Sequence, residues 1–86
     1  MKVEITYFGR PSEYLLMTSE RMVIPNDIST LQRMLDRLRK RGDRWAYELD
    51  DSHVICTVGR KSATLSDAIK DGDEIGIFSS KSIFEM

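Results

Sequence analysis

The chain has 86 residues, a formal net charge of −1, 41% hydrophobic and 31% charged residues, a balance typical of one globular domain and not of a disordered segment. One cysteine and one histidine exclude an internal disulfide framework and a structural zinc site, and the near-neutral charge favours neither nucleic acid nor a membrane surface as a partner. No segment approaches the ~20 apolar residues that cross a bilayer, and the first residues lack the apolar stretch of a signal peptide, so we expect a soluble, cytoplasmic protein without a cofactor.

Two strands are predicted in the first third of the chain. Residues 2–8 alternate between apolar and polar side chains, which indicates a half-buried strand. The glycine and proline within residues 9–12 end that strand. Residues 13–17 fit either a helical turn or the start of the second strand. The better candidate for the second strand is residues 20–24, which the turn signal at residues 25–27 closes.

The clearest element is a helix, predicted at residues 30–41. Ser29, followed three residues later by Gln32, forms a capping box, and Gly42 stands where a left-handed C-terminal cap is expected. Four apolar residues recur at i, i+3, i+4 and i+7 on one helix face: Leu31, Met34, Leu35 and Leu38. A short turn is predicted to follow at residues 43–49.

The second half of the chain reads as further strands joined by turns. The predicted elements are a strand at 53–58, a turn at 59–62, a short strand at 63–65, a helical turn at 66–70, a turn at 71–73 and a final strand at 74–78. One main helix packed on a mixed sheet of four to five strands is an α+β fold. We interpret residues 1–86 as a single domain with residues 79–86 as its C-terminal tail.

This order of elements is that of the ubiquitin-like β-grasp fold, and the residues resemble the MoaD/ThiS sulfur-carrier family, which includes the small subunit of molybdopterin synthase. Three segments carry the resemblance: Val3–Arg10 with Glu13 for the opening strand, Thr30–Trp45 with its ending Asp43-Arg44-Trp45 for the helix, and Val58–Phe78 with Asp71-Gly72-Asp73-Glu74-Ile75 for the closing half. The resemblance covers nearly the whole chain. It implies a carrier that a partner enzyme adenylates and loads with sulfur at a terminal Gly-Gly.

The last residues of this chain depart from the family pattern. Ile83 and Phe84 stand near the place of the Gly-Gly, Glu85 and Met86 follow, and the five glycines of the chain are all isolated. Only a tail without Cβ atoms can approach an active-site backbone closely. We therefore expect a non-catalytic, protein-binding β-grasp module, an accessory or regulatory subunit without sulfur-carrier chemistry. The alternative is a sulfur carrier in molybdenum cofactor or thiamine-type biosynthesis with an atypical C-terminus.

Five residues are predicted to bind a partner. Phe8 and Phe78 are out of phase with the inward residues of their strands, so their rings are expected to share the uncovered face of the sheet. In the family, aromatic residues at these positions pack against partner proteins. Ile83, Phe84 and Met86 make the tail apolar, and we expect it to dock on this face or on a second copy. The resemblance implies a molybdopterin synthase large subunit-like protein or an E1-like activating enzyme as the partner.

Other candidate residues are better explained by structure than by chemistry. Cys56 alternates with apolar neighbours and is expected to be an inert core thiol. His53 is expected at the surface, without a catalytic partner. Trp45 is expected to cover the end of the main helix. A basic cluster fits a phosphate or nucleic-acid patch or, as we favour, cations that stabilise a helix C-terminus: Arg37, Arg39, Lys40, Arg41 and Arg44. No nucleophile and base are paired, so we expect no enzyme activity.

Overall fold

A computed structural model describes residues 1–81 of the chain. Its elements are β1 (Lys2–Tyr7), α1 (Arg10–Leu15), β2 (Ser19–Val23), α2 (Leu31–Arg39), α3 (Asp43–Glu48), β3 (Val54–Val58), β4 (Lys61–Ala63) and β5 (Glu74–Ser79). The strands form one sheet in the order β2-β1-β5-β3-β4. β1 and β5 run parallel, and the other neighbouring strands are antiparallel. This mixed sheet with its helices confirms the predicted α+β, β-grasp architecture.

The helix α1 begins earlier than the sequence indicates. Residues 9–12 were expected to end β1, and they do, but they also start α1, because Pro11 occupies its first turn and its fixed φ suits that position. The ambiguous residues 13–17 are therefore mostly helical. The helix ends at Leu16, which adopts the left-handed conformation with φ of 56°.

Both predicted caps of the main helix are wrong in detail. The N-cap of α2 is Thr30 and not Ser29, since the Thr30 side chain accepts a 3.3 Å hydrogen bond from the Arg33 amide. Gly42 has φ of 154° and ψ of 174° instead of a left-handed cap geometry. Its carbonyl accepts the first hydrogen bond of α3, from the amide of Ala46, because the chain turns directly from one helix into the next.

The helical turn predicted at residues 66–70 is absent from the structure. Ala68 instead forms an isolated bridge with Thr30, and the Ile69 amide donates a 2.8 Å hydrogen bond to the Ser29 carbonyl. These long-range hydrogen bonds connect the segment to the start of α2. The segment therefore pairs with a distant part of the chain and does not form a local helical turn. β5 continues through Ser79, one residue into the predicted tail.

The core lies between the sheet and α2, as the apolar pattern predicts. The four residues of the predicted helix face are fully buried: Leu31, Met34, Leu35 and Leu38. The inward side chains of the central strands complete the core, among them Ile5 and Ile77. No helix formed by residues 1–81 covers the opposite face of the sheet. Within residues 1–81, no helix is long and apolar enough to cross a membrane.

Candidate partner-binding face

The uncovered face of the sheet carries a stacked pair of phenyl rings. Phe8 follows β1 and donates a 2.9 Å hydrogen bond from its amide to the carbonyl of Ile77, which extends the parallel pairing with β5. Phe78 lies on β5 with its side chain on the same side. The ring centroids are 4.5 Å apart and the ring planes are 5° from parallel. The prediction that the two rings share one face is confirmed.

A third apolar side chain borders this pair. Ile55 on β3 is the register partner of Phe78 and is 45% exposed, while Phe8 is 43% exposed. Contiguous exposed apolar side chains of this kind are typical of protein interaction surfaces. Ile55 carries no local sequence signal of this role, because its place beside Phe78 follows only from the register of two strands that lie far apart in the chain. We define the aromatic face as Phe8, Ile55 and Phe78.

Gly76 provides the space beneath the rings. An added Cβ at this position would overlap the Oγ1 of Thr57 and would lie 3.1 Å and 3.3 Å from ring atoms of Phe78 and Phe8. The missing side chain leaves a shallow depression of ≈ 220 Å³ beside the stack, which Thr6, Thr57 and Gly76 help to line. A glycine inside a strand marks a bulge or a close approach of this kind, and Gly76 is that sequence signal within the predicted strand at residues 74–78.

The predicted tail residues cannot be placed beside this face. Ile83, Phe84 and Met86 lie outside the described residues. The last described residue, Lys81, donates a 3.0 Å hydrogen bond from Nζ to the Tyr47 hydroxyl, and its ammonium lies 4.8 Å from the centre of that ring. The chain therefore leaves β5 alongside α3.

A buried ion pair connects α1 with α3. The Arg10 Nε donates a 3.0 Å hydrogen bond to Oε1 of Glu48, and both side chains are almost fully buried. The Arg10 guanidinium also lies 4.1 Å from the centre of the Tyr14 ring. Burial opposes the charged form of Arg10, but the hydrogen bond and the negative charge of Glu48 outweigh it and raise its pKa. This pair could not be predicted from the sequence, because Arg and Glu are rarely buried and their spacing of 38 residues carries no local signal.

A second polar network joins the sheet to the end of α2. The Tyr7 hydroxyl donates a 2.7 Å hydrogen bond to Oε2 of Glu20. Arg41 contacts both oxygens of the same carboxylate, at 2.8 Å and 2.7 Å, and its guanidinium lies 4.6 Å from the Trp45 ring centre. Trp45 is half-buried, and the prediction that it covers the end of the main helix is confirmed. The basic cluster is thus partly structural, as Arg39 also bonds the Leu49 carbonyl.

Cys56 and His53 are both buried. Burial raises the pKa of the Cys56 thiol to about 11, and the prediction that this thiol lies in the core is confirmed, since Cys56 is part of the buried apolar cluster. The expectation that His53 is exposed is wrong, because the side chain is only 5% exposed. Its Nε2 donates a 2.9 Å hydrogen bond to the Glu48 carbonyl. His53 therefore holds the turn before β3 in place.

Across residues 1–81, no group of three His, Cys, Asp or Glu side chains is close enough to hold a metal ion. The described polar networks connect secondary-structure elements. The Ser52 hydroxyl lies 3.3 Å from Nδ1 of His53, whose Nε2 is held by the Glu48 carbonyl in the turn before β3. The aromatic face is thus the strongest candidate for a functional surface.

The five-stranded sheet with one face covered by α2 and one face open defines a ubiquitin-like β-grasp protein. The chain belongs to the ThiS family, whose model matches residues 5–80. It is 25% identical over 76 residues to the molybdopterin synthase sulfur carrier subunit of Haemophilus influenzae, covering 88% of this chain and 91% of that protein.

Solved structures show the same fold. The small archaeal modifier protein 1 of Haloferax volcanii is 27% identical, with a TM-score of 0.64 and coverage of 90% of this chain and 94% of that one. A crystal structure of SAMP1 from Haloferax volcanii gives a TM-score of 0.77 at 20% identity, covering 95% of this chain and 98% of the other. The predicted relationship to the MoaD/ThiS family is confirmed.

Proposed function

We propose that this chain is a non-catalytic, protein-binding subunit related to the small subunit of molybdopterin synthase, and that it docks on its partner through the aromatic face. The observation that carries the proposal is the stack of Phe8 on Phe78 on the uncovered side of the sheet. Such a pair supplies a large apolar contact area that needs little conformational ordering on binding, because the rings already support each other. The partner would be a molybdopterin synthase large subunit-like protein or an E1-like activating enzyme.

The proposed accessory role rests on Ile83 and Phe84, which stand near the place where the family resemblance puts the Gly-Gly. In the mechanism that the family resemblance implies, sulfur is carried on the carboxylate of a terminal Gly-Gly. The apolar side chains of Ile83 and Phe84 would not fit a channel that accepts a tail without Cβ atoms. We therefore propose that the chain contributes a docking surface and does not carry sulfur itself.

A sulfur carrier is the second candidate function. The name of the Haemophilus influenzae relative favours it, and the aromatic face would serve either function. Intact-mass spectrometry separates the two after incubation with an E1-like activating enzyme, ATP and a sulfur donor. An accessory subunit keeps its mass, whereas the stable replacement of one oxygen by sulfur would establish the carrier function and overturn the accessory one.

The docking surface is tested by calorimetric titration with a molybdopterin synthase large subunit-like protein. Phe8→Ala is expected to weaken binding by about tenfold or more, since truncating a central aromatic anchor costs more than ~1 kcal/mol. Leu16→Ala is the matched control, because Leu16 is 79% exposed, is the C-cap residue of α1 and is not part of the aromatic face. Equal affinities for both variants would exclude the aromatic face as the binding surface.

A further inference from the structure

The edge of the sheet formed by β2 has backbone N–H and C=O groups that point away from the sheet. β2 is an edge strand, and its one partner among the described residues is β1. The Ile24 amide donates a 2.9 Å hydrogen bond to the Met1 carbonyl, and hydrogen-bonded pairs alternate along an antiparallel ladder. Met22 therefore also bonds to β1, whereas the N–H and C=O groups of Arg21 and Val23 point outward. No other strand within residues 1–81 pairs with this edge.

A groove of ≈ 530 Å³ runs between this edge and the C-terminal half of α2. Both sides of the groove carry cations, and its lining residues are Glu20, Arg21, Met22, Val23, Arg37, Lys40 and Arg41. We call it the β2 groove. It is distinct from the aromatic face, because it lies at the far side of β1 from β5.

The β2 groove carries positive charge that is not used in ion pairs within the described part of the chain. Arg41 is paired with Glu20, so these two charges offset each other. The other three cations of the groove, Arg21, Arg37 and Lys40, form no ion pair within the described part of the chain. The groove thus offers three cations beside a row of outward backbone groups.

The apolar part of the groove lies on the edge strand itself. Val23 is 68% exposed, and its side chain lies on the same side of β2 as that of Arg21, because side chains alternate along a strand. A strand bound beside β2 would therefore meet an apolar contact and a cation on one of its faces. Its other face would meet the cations of α2.

We propose that the β2 groove binds an extended, acidic segment of a partner protein as an added strand. The segment's backbone bonds to the outward groups of Arg21 and Val23, and its acidic side chains pair with Arg37 and Lys40. Charged residues on an edge strand also prevent edge-to-edge aggregation. That role does not account for the two cations on α2, which lie across the groove from the edge.

The test is an NMR titration of the full-length, ¹⁵N-labelled chain with a capped synthetic peptide, Asp-Val-Glu-Val-Glu-Val-Asp. The amides of Arg21 and Val23 are expected to shift and to gain hydrogen-exchange protection. The Met22 amide, which already bonds to β1, is expected to change much less. A control peptide with proline in place of the central valine lacks one N–H and is expected to bind more weakly.

Two matched double variants test the charge contribution. Arg37→Gln with Lys40→Gln is expected to lower the peptide affinity by about tenfold. Arg33→Gln with Arg44→Gln removes the same charge from exposed positions outside the groove lining and is expected to change it by less than about twofold. Equal losses would show long-range charge attraction only and would overturn the proposal.

Three further outcomes would also overturn it. One is the absence of any shift at millimolar peptide, and another is a set of shifts confined to the aromatic face. The third is an oligothymidine that shifts the same amides with equal affinity, which would indicate a general polyanion site. A failure of this titration leaves the docking of the aromatic face unaffected, because the two surfaces lie on different parts of the sheet.

Discussion

The Oγ1 of Thr57 occupies the space that a side chain on Gly76 would need. The two residues are register partners on β3 and β5, and an added Cβ on Gly76 would overlap the hydroxyl and press on both phenyl rings. The stacking of Phe8 on Phe78 thus depends on the absence of a side chain at Gly76, beneath the two rings. A substitution at this position tests the integrity of the aromatic face without removing any aromatic residue.

Gly76→Ala is expected to lower the free energy of unfolding by about 1–3 kcal/mol, since overpacking forces neighbouring side chains from their positions. Urea denaturation measures the loss. Thr57→Ala removes the overlapping hydroxyl, so the double variant is expected to recover more than half of it, with Thr57→Ala alone as the reference. A Gly76→Ala protein as stable as the original would show that Thr57 and the rings adjust freely.

The elements that the sequence predicts well are those with strong local periodicity. β1 alternates over six residues, and α2 presents its apolar stripe over two turns, so burial of one face defines each of them. α1 was only half predicted, because its signal is a proline in the first turn and not an apolar repeat. Residues 66–70 were predicted wrongly, because their hydrogen bonds go to a distant segment.

The same distinction between local patterns and long-range contacts applies to the residues of the candidate site. The phase of Phe8 and Phe78 within their strands places both rings on the open face, and this required only the alternation of side chains. The role of Ile55 depends on the strand register, which no local pattern sets. Gly76 carries a local signal of close approach, but only the register with Thr57 identifies the neighbour. The Arg10–Glu48 pair and the burial of His53 likewise follow from contacts between elements that are distant in sequence.

The carboxylate of Glu20 is expected to make stability depend on pH. Burial disfavours its charged form, but the hydrogen bonds from Arg41 and Tyr7 outweigh this and hold its pKa below the usual 4.5. A depressed pKa in the folded state contributes stability above the unfolded value, which is lost as the pH falls through the folded pKa. Stability is therefore expected to decline below about pH 4.5.

The measurement for Glu20 is urea denaturation between about pH 3 and pH 7, which spans the titration of a carboxylate. Glu20→Gln is expected to be less stable at neutral pH and to show a flatter decline toward acid, because the charged acceptor of Arg41 is gone. Glu13→Gln is the control, as Glu13 is exposed and forms no ion pair within residues 1–81. An acid decline unchanged in Glu20→Gln would assign the pH dependence to other groups.

Leu35→Ala is expected to lower the free energy of unfolding by about 2–5 kcal/mol. Leu35 is fully buried on the core-facing side of α2, and its truncation leaves a cavity. Denaturation midpoints at constant m-value measure the loss. Arg33→Ala on the exposed side of the same helix is expected to stay within about 0.5 kcal/mol of the original. A loss under about 1 kcal/mol for Leu35→Ala would mean that the core around α2 collapses to fill the space.

Leu16→Gly is expected to stabilise the protein, although it removes a leucine. Leu16 is held in the left-handed conformation, with φ of 56° and ψ of 41°, by a hydrogen bond from its amide to the Ser12 carbonyl. That conformation costs a residue with a Cβ about 1–2 kcal/mol, a cost that glycine avoids. The greater chain entropy of glycine in the unfolded state cancels about 0.5–1 kcal/mol of this gain in stability. Since the side chain is 79% exposed, its loss removes little packing. We expect a net gain of up to about 1 kcal/mol in the free energy of unfolding, measured by urea denaturation.

Leu16→Ala is the control for the backbone explanation, because it keeps the Cβ and is expected to show no gain in stability. A stabilised alanine variant or a destabilised glycine variant would contradict the backbone explanation.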